Sequence, residues 1–481
     1  MKNSYIKRAS GVLLPLFAVP SEYSVGNFGR GAFEFVDFLA SSGFTYWQVL
    51  PFCMTDEYNS PYKSYSSFAA NPYFIDLETL CAKKLLTRSE LNSAKQDTPY
   101  VCEYGRLYSE RMELLSLAAE RCDYRDAVES FIDSEPYLLQ ACRFLAIRDA
   151  NNNASWYEWD SEAFDEKRIF VWKFVQYEFF DQWKKVHDYA NRQGIKIIGD
   201  IPIYVSYDSA DVWANRELFL TDEKGRPAAV AGVPPDYFAA DGQLWGNPLY
   251  DWDKMAKDGY SWWCDRLRFQ LTMFDGVRLD HFRGFESFWS IPADAKTAKE
   301  GHWVKGPGME LMKALKAVAG DKLIIAEDLG VITEEVAALR DESDFPGMRV
   351  LQFAFLGDAD SPHLPHNYIN NGIAYTGTHD NNTLLGWVWE LDEATRRHML
   401  EYFGYSGDWN ACYGTLIRAM LASTAGIVIM PLQDLLGYGS DTRVNRPGVA
   451  NGNWEYRVTS DQLARIDRGY YNRLNKLYSR V

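Results

Sequence analysis

Acidic residues stand at the ends of several short apolar segments that have the length of β-strands. Asp200 follows IKIIG, Asp280 follows GVRL, Glu327 follows LIIA, and Asp380 closes the segment GTHD. A single Asp at such a position could equally cap a helix or lie in a loop. Several carboxylates at equivalent positions indicate instead that they converge on one site.

The second of these segments, within DGVRLDHFRG, pairs Arg278 with Asp280. Residues two apart on a strand point to the same side, so the guanidinium would hold the Asp280 carboxylate ionised at neutral pH. An ionised and oriented carboxylate is what a nucleophile at a sugar carbon requires. A structural Arg–Asp pair in the interior of a barrel would have the same spacing, and this alternative stays open at this point.

Glu327 is predicted to have the opposite environment. The apolar run LIIA before it would raise its pKa by desolvation, and neighbouring carboxylates would act in the same direction. A protonated Glu can donate a proton to a leaving glycosidic oxygen and later accept one from an incoming hydroxyl. The alternative is that Glu327 or Asp328 caps the next helix, which we expect of Asp328.

These carboxylates suit cleavage of a glycosidic bond with retention, in which one attacks and the other serves as acid and base. Asp380, in YTGTHDNNT, would be a third that stabilises the positively charged transition state. His379 beside it could donate to a sugar hydroxyl, although a single His is more often structural. The absence of HExxH, GxSxG and GxxxxGK[ST] motifs argues against zinc hydrolases, serine hydrolases and kinases, and no metal site is expected.

Eight segments of strand length must position these residues. Each is bounded by turn residues and most precede a helix-period stretch, which predicts a parallel α/β fold of the (β/α)8 TIM-barrel type. Active sites of such barrels lie at the C-terminal ends of the strands, where the carboxylates stand. The predicted strands are 11–17, 46–52, 195–203, 274–280, 322–329, 349–355, 372–380 and 426–432.

Two long connections interrupt the repeat of this single catalytic barrel, which we assign to residues 1–481. Residues 53–190 are rich in helix formers and predict a mostly helical inserted subdomain. Residues 221–252 carry Gly, Pro and aromatic residues and predict a loop-like insertion that covers a substrate site.

Composition limits the partners and the compartment. A formal charge of −16 would repel nucleic acid and anionic membranes, so a neutral ligand fits better. Seven cysteines without a CxxC pair argue against a disulfide framework and favour a reducing cytoplasm. The apolar run GVLLPLFAV near the N-terminus could belong to a secretory signal, but two prolines interrupt it and we favour a first barrel strand.

The motifs DGVRLDHFRG, AEDLG and GTHDNNT, in this order, resemble the amylomaltases, or 4-α-glucanotransferases of glycoside hydrolase family 77. The resemblance covers essentially the whole chain, since SGVLLPL, SPYKSYSSFAANPYFIDL, GDIPIYVSYDSADVW, GVPPDYFAADGQLWGNPLYDW, PLQDLLG and NRPGVANGNWEYR also match the family pattern. It implies an enzyme that moves part of an α-1,4-glucan to the 4-hydroxyl of another glucan or glucose and needs no cofactor. The expected assembly is a monomer or a weak homo-oligomer.

The resemblance also implies roles for individual residues. Asp280 would be the nucleophile, Glu327 the general acid/base and Asp380 the transition-state stabiliser. The residues expected to bind the sugar that becomes covalently attached are Tyr62, Asp200, Arg278 and His379, and those on the acceptor side are Asp236 in a mobile loop and Trp245. The tract before SPY is short, so Tyr58 receives no second glucan-binding role.

Two other functions remain open from the sequence. An α-amylase-type hydrolase would use the same carboxylates with water as the acceptor. A catalytically inactive glucan-binding protein would use the abundant aromatic residues, although three intact carboxylates argue against it. Transfer can exceed hydrolysis only if a bound sugar is a better acceptor than water, present at roughly 55 M, so the acceptor must gain from positioning.

Overall fold

The computed structural model describes residues 6–235 and 240–481. Within these ranges the chain forms twelve strands: β1 (Ala9–Leu13), β2 (Tyr46–Gln48), β3 (Lys196–Ile201), β4 (Ala229–Val233), β5 (Gln243–Pro248), β6 (Gly276–Leu279), β7 (Ser287–Pro292), β8 (His302–Lys305), β9 (Leu323–Ala326), β10 (Gly347–Val350), β11 (Gly372–Tyr375) and β12 (Ile427–Pro431).

The helices of the same ranges cover the barrel and fill the long connections. They are α1 (Arg30–Ser41), α2 (Leu77–Ala82), α3 (Arg88–Ser93), α4 (Tyr104–Arg106), α5 (Met112–Glu120), α6 (Arg125–Asp133), α7 (Pro136–Ala150), α8 (Glu166–Arg192), α9 (Ala210–Ala214), α10 (Trp252–Ala256), α11 (Ser261–Met273), α12 (Gly308–Ala319), α13 (Glu334–Ser343), α14 (Leu384–Glu390), α15 (Glu393–Tyr402), α16 (Tyr413–Ala422), α17 (Leu432–Leu436), α18 (Ser460–Ala464) and α19 (Arg468–Leu477). None of these helices is both long and apolar enough to cross a membrane.

Eight parallel strands close into a barrel in the order β1-β2-β3-β6-β9-β10-β11-β12. The barrel closes where β1 pairs with β12, beginning with Ala9 beside Ile427. Each of the eight predicted segments overlaps one of these strands, although β1 and β10 each begin two residues before the predicted segment, so the TIM-barrel prediction is confirmed. The apolar N-terminal run is therefore the first barrel strand, as predicted.

The strands are apolar because side chains on both of their faces are buried. One set of side chains fills the barrel interior, and it includes Ile198, Ile325, Met348, Tyr375 and Ile429. The other set packs between the strands and the surrounding helices in a larger cluster. A segment buried on both faces shows a continuous apolar run, which is the pattern that located the strands in the sequence.

The connection between β2 and β3 contains seven helices, α2 to α8. The longest, α8, begins at the N-cap Asp165, whose side chain accepts from the Lys167 amide at 3.0 Å. It packs against α5, α6 and α7 on one side and against α1 and β3 on the other. The same helix thus holds the helical insertion together and covers the barrel.

The segment 221–252 contains regular structure, contrary to the loop-like insertion predicted. Strands β4 and β5 pair antiparallel within it, with Gly232 beside Leu244, and β7 and β8 extend them to a four-stranded sheet. These strands escaped prediction because they are short and each is interrupted by a Gly, and because β7, which pairs with β4, lies far along the chain. The residues between β4 and β5 include 236–239, which lie outside the described residues.

Candidate active site

Predicted site residues from four barrel strands and their loops meet in a cleft of about 530 Å³ at the C-terminal face of the barrel. The cleft wall combines carboxylates, a guanidinium, imidazoles and aromatic rings. Seven of the nine predicted site residues line it, namely Tyr62, Trp245, Arg278, Asp280, Glu327, His379 and Asp380. The cleft therefore offers charged and flat apolar groups side by side.

Arg278 lies at the centre of the charged groups. Its Nη1 donates to both Asp200 carboxylate oxygens at 2.8 Å, and its Nη2 lies 2.8 Å from Asp280 Oδ1. The same Nη2 is 3.9 Å from Glu327 Oε2. Strand register explains why these charged groups lie close together. β3 and β9 flank β6, and the pairing of β3 with β6 places Asp200 beside Arg278. The barrel thus converts three separate sequence motifs into one cluster.

The two distances from Arg278 Nη2 also limit the separation of Asp280 and Glu327. Because both distances end on one nitrogen atom, the two carboxylate oxygens cannot be further apart than the sum of the distances. Retaining glycosidases hold their two carboxyl groups about 5–5.5 Å apart, and inverting enzymes about 6.5–9.5 Å. For these two oxygens the limit admits the retaining separation and reaches only the lower end of the inverting range.

The Glu327 side chain is largely buried, in surroundings that favour its protonated form. Burial raises the pKa of Glu327 to about 8, with Arg278 opposing this shift and Asp280 adding to it. One oxygen, Oε2, accepts from the backbone N–H of His281 at 2.5 Å. The environment predicted from LIIA is therefore present, and it suits a general acid at neutral pH.

Asp200 lies beneath the cleft and does not line it, because its side chain has no exposed surface. Besides the two Arg278 contacts, its Oδ2 accepts from the Tyr62 hydroxyl at 2.7 Å. Burial raises the pKa of Asp200, while Arg278 acts in the opposite direction. In this structure Asp200 holds two cleft residues in place and contributes no surface of its own.

Asp380 and His379 form the opposite wall, on the loop that follows β11. Asp380 Oδ1 accepts from Asn445 Nδ2 at 2.6 Å and lies 3.3 Å from His379 Nε2. The His379 ring stacks on Tyr62, with centroids 5.1 Å apart and an interplanar angle of 13°. Tyr62 therefore links this wall to Asp200 and, through Asp200, to Arg278.

The structure describes one of the two residues predicted on the acceptor side. Trp245, on β5, lines the cleft, and its ring meets the His281 ring edge-on with centroids 4.9 Å apart. Burial lowers the pKa of His281 to about 4, so this imidazole is neutral at neutral pH. Asp236 lies outside the described residues.

The expectation for Asp328 was wrong. It caps no helix, because the N-cap of α13 is Thr333, whose side chain accepts from the Val336 amide. Asp328 is buried and instead binds Arg340 at 2.5 Å, Arg349 at 3.2 Å and a backbone amide of β10. Its carboxylate therefore points away from the cleft and fixes β9 against β10.

Several cleft residues were not singled out from the sequence. Asn445 and Trp454 both line the cleft, and Arg443 donates to the Asp380 carbonyl oxygen at 2.6 Å. The ring of Trp454 lies 6.0 Å from Tyr62 and 5.9 Å from His379. The motif NRPGVANGNWEYR, which contains two of these residues, was the available signal, but nothing local assigned a role to them.

The fold and this cleft define a class: a (β/α)8 enzyme whose acidic cleft is built for glycosidic bonds. The described residues contain no cluster of His, Cys, Asp or Glu that could hold a metal ion. The groups that the cleft presents are carboxylates and hydrogen-bond donors.

Comparison with known proteins agrees with this class. The model of glycoside hydrolase family 77, described as 4-alpha-glucanotransferase, matches residues 14–463. The chain is 44% identical to the 4-alpha-glucanotransferase of a Synechocystis strain, over 98% of each chain, and 42% identical to that of a Streptococcus pneumoniae strain, over 99% and 98%. A solved amylomaltase from Streptococcus agalactiae in complex with acarbose superposes with a TM-score of 0.95 at 36% identity, covering 98% of this chain and all of that one.

The chain therefore belongs to the 4-α-glucanotransferase family, glycoside hydrolase family 77. It is an enzyme of this class.

Proposed function

We propose that this chain transfers α-1,4-glucan segments by a double displacement in which Asp280 is the nucleophile and Glu327 the general acid/base. The observation that carries these roles is the pair of contacts on Arg278 Nη2. One carboxylate lies directly against the guanidinium, and the other lies further away in a buried position that favours its protonated form.

In the first step, Asp280 attacks the anomeric carbon as the bond to the glycosidic oxygen breaks. Glu327 gives its proton to that oxygen, which leaves as the 4-hydroxyl of the released fragment. A covalent glycosyl-enzyme remains. In the second step, the ionised Glu327 accepts the proton of an incoming 4-hydroxyl while that oxygen displaces Asp280, so the anomeric configuration is restored.

Asp380 is proposed as the group that stabilises the positive charge of the sugar ring in both steps. It faces the cleft beside His379, and Asn445 restrains its carboxylate. Arg278, Tyr62 and His379 would bind the sugar in the covalent subsite. Asp200 would contribute by holding Arg278 and Tyr62 in position.

The acceptor must be favoured over water, and the hairpin formed by β4 and β5 is proposed for this task. Trp245 gives the cleft a flat apolar wall at this position, a surface that suits the apolar face of a sugar ring. Asp236, on the connection between the two strands, is the proposed polar partner of the acceptor. The segment 221–252, which contains β4 and β5, is proposed as the insertion that covers the substrate site, and 53–190 as the helical subdomain.

The proposed substrates are α-1,4-glucans and maltooligosaccharides, including the maltodextrins derived from starch or glycogen. No nucleic-acid or membrane partner is proposed, in keeping with the charge of −16. All seven cysteines are free thiols, which supports a reducing cytoplasm as the proposed location. A monomer or a weak homo-oligomer is the proposed assembly.

Incubation with maltotriose tests the transfer reaction. Transfer from one molecule to another yields glucose together with oligosaccharides longer than the substrate, and the number of reducing ends stays constant. Product chromatography together with a reducing-end assay measures both quantities. Shortened products alone, with a rise in reducing ends, would favour the α-amylase-type hydrolase.

Asp280→Asn tests the nucleophile with almost no change in shape. We expect the rate on maltotriose to fall by a factor on the order of 10³ or more, because the covalent intermediate cannot form. Binding of maltotriose should persist in calorimetry, since Arg278 and the aromatic walls remain. Unchanged turnover in Asp280→Asn would contradict the nucleophile role, and binding without any turnover in the unsubstituted protein would favour the catalytically inactive glucan-binding alternative.

A further inference from the structure

Asp434, on the first turn of α17, connects two points on a neighbouring loop. Its Oδ2 accepts from the Thr376 hydroxyl at 2.5 Å, and its Oδ1 accepts from the Leu384 backbone amide at 2.7 Å. Thr376 follows the last residue of β11, and Leu384 is the first residue of α14. One carboxylate therefore holds both ends of the loop 377–383.

This loop carries Asp380. Thr378, His379, Asp380 and Asn381 all line the cleft. Inside the loop, the side-chain oxygen of Asn381 accepts from the Thr378 amide at 2.9 Å, so the turn is compact. A compact turn moves as a unit, and the position of the Asp380 carboxylate consequently depends on where the two ends of the loop are fixed.

The burial of the Asp434 carboxyl lowers the free energy of unfolding, so stability alone does not explain it. Asp434 is 1% exposed. Among the described residues, its hydrogen-bond partners are the Thr376 hydroxyl and the Leu384 amide, which are both neutral. Burial raises the pKa of this carboxyl to about 7, and the hydrogen bonds from Leu384 and Thr376 only partly oppose that shift. Burying an ionisable group without a neighbouring cation costs free energy of folding. The hydrogen bonds that Asp434 accepts from both ends of the loop therefore need an explanation other than stability.

We propose that Asp434 is a positioning residue that fixes both ends of the loop 377–383 and so sets the place of Asp380 in the cleft. It does not contact the substrate and acts only through the loop. The inference rests on the role of Asp380 under the proposed function. It adds α17, an element outside the cleft wall, to the groups on which the reaction depends.

Two substitutions separate the hydrogen bonds from the mere presence of a side chain. Asp434→Ala removes both contacts, and we expect kcat on maltotriose to fall between about tenfold and about a hundredfold with KM within about twofold, as for a small misplacement of a reacting group. Asp434→Asn keeps both contacts, because its amide oxygen can accept from Leu384 and its NH2 can donate to Thr376 Oγ1. We expect its kcat to stay within about threefold of the unsubstituted enzyme.

Two further measurements detect positioning specifically. With α-maltosyl fluoride as the donor, whose leaving group needs no proton, Asp434→Ala should lose as much rate as it does with maltotriose, because Asp380 acts on ring charge and not on proton transfer. Hydrogen exchange of the Leu384 amide should accelerate in Asp434→Ala and remain slow in Asp434→Asn.

Asp275→Ala serves as the matched control. Asp275 also joins separate elements, since its Oδ2 accepts from the Ile197 amide at 2.8 Å and lies 3.1 Å from His187 Nε2, but it precedes β6 at the opposite end of the barrel. We expect this substitution to lower the thermal midpoint and to leave kcat unchanged well below that temperature.

Unchanged kcat in Asp434→Ala, or equal losses in Asp434→Ala and Asp434→Asn, would overturn the positioning role. Asp380→Asn, assayed in parallel, separates the two proposals. If Asp380→Asn is inactive while Asp434→Ala is fully active, only the positioning role fails. If Asp380→Asn retains full activity, the role assigned to Asp380 fails as well.

Discussion

At the scale of residues, one guanidinium gives two carboxylates different surroundings. The Asp280 side chain is 26% exposed and lies 2.8 Å from Arg278, whereas the Glu327 side chain is 12% exposed and lies 3.9 Å away. Desolvation therefore acts most strongly on Glu327, and the positive charge acts most directly on Asp280. Two acids of nearly the same intrinsic strength can thus take different roles in one cleft.

Glu327→Gln tests the acid role at this scale. We expect the rate on maltotriose to fall by a factor on the order of 10³, because the leaving oxygen no longer receives a proton. With α-maltosyl fluoride, formation of the glycosyl-enzyme should slow by less than about tenfold, as seen in single-turnover fluoride release.

Glu178→Gln is the control for this change, since Glu178 is a buried glutamate of α8 that binds Lys83 outside the cleft. It should leave both rates within about twofold of the unsubstituted enzyme. Comparable losses of Glu327→Gln on both donors would contradict the acid assignment.

The raised pKa of Glu327 predicts the alkaline limit of the reaction. The acid must be protonated to work, and its pKa is about 8, so kcat/KM for maltotriose should be level just below that value. Above it, the rate should fall about tenfold for each further pH unit. A pH series of kcat/KM measures this limb, and a limb that persists in Glu327→Gln with the fluoride donor would assign it to another group.

At the scale of elements, the cleft is assembled from barrel strands and from a sheet outside the barrel. β3, β6, β9 and β11 supply the charged groups through their C-terminal ends. The hairpin of β4 and β5 supplies Trp245, and β7 pairs with β4 immediately after the loop that follows β6. The proposed acceptor wall is thus attached to the same part of the barrel that carries the proposed nucleophile.

Trp245→Ala tests whether this hairpin favours transfer over hydrolysis. We expect the ratio of transfer to hydrolysis on maltotriose to fall about tenfold, which corresponds to about 1.4 kcal/mol of lost acceptor contact. The ratio is measured as longer oligosaccharides formed per new reducing end.

Trp303→Ala is the control, because Trp303 lies on β8 of the same sheet, is 40% exposed and is not among the described residues that line the cleft. Its ratio should be unchanged. An unchanged ratio in Trp245→Ala would remove this residue from the acceptor side.

At the scale of the whole molecule, the chain closes its barrel with residues from both of its ends. Arg480 is fully buried and donates to carbonyl oxygens of β1, of the segment before β12 and of the end of α16, namely Ala9, Leu421, Ser423, Ala425 and Gly426. These contacts lie at the N-terminal face of the barrel, opposite the cleft. They serve stability, since the chemistry of this fold is confined to the other face.

Arg480→Met should consequently separate stability from activity. Several buried carbonyl groups would lose their donor, and we expect a loss of about 3 kcal/mol of folding free energy. The thermal midpoint at a fixed scan rate measures the effect, while kcat at 25 °C should remain unchanged.

Arg473→Met, at an exposed position of α19, is the matched control and should change neither quantity. A fall in kcat of Arg480→Met at 25 °C would contradict the separation of the two faces.

The sequence alone determined the barrel, because strands buried on both faces must be apolar and the spacing of such runs is visible without coordinates. It also determined the chemical types at the strand ends, Asp200, Arg278, Asp280, Glu327 and Asp380. Only the tertiary structure decided that Asp200 lies beneath the cleft, that Asp328 binds arginines instead of capping a helix, and that 221–252 forms strands. These outcomes depend on pairing across the barrel and between distant segments, and so do the contacts of Asn445 and Asp434 with the Asp380 loop. Local composition does not indicate which distant residues become neighbours in the folded chain.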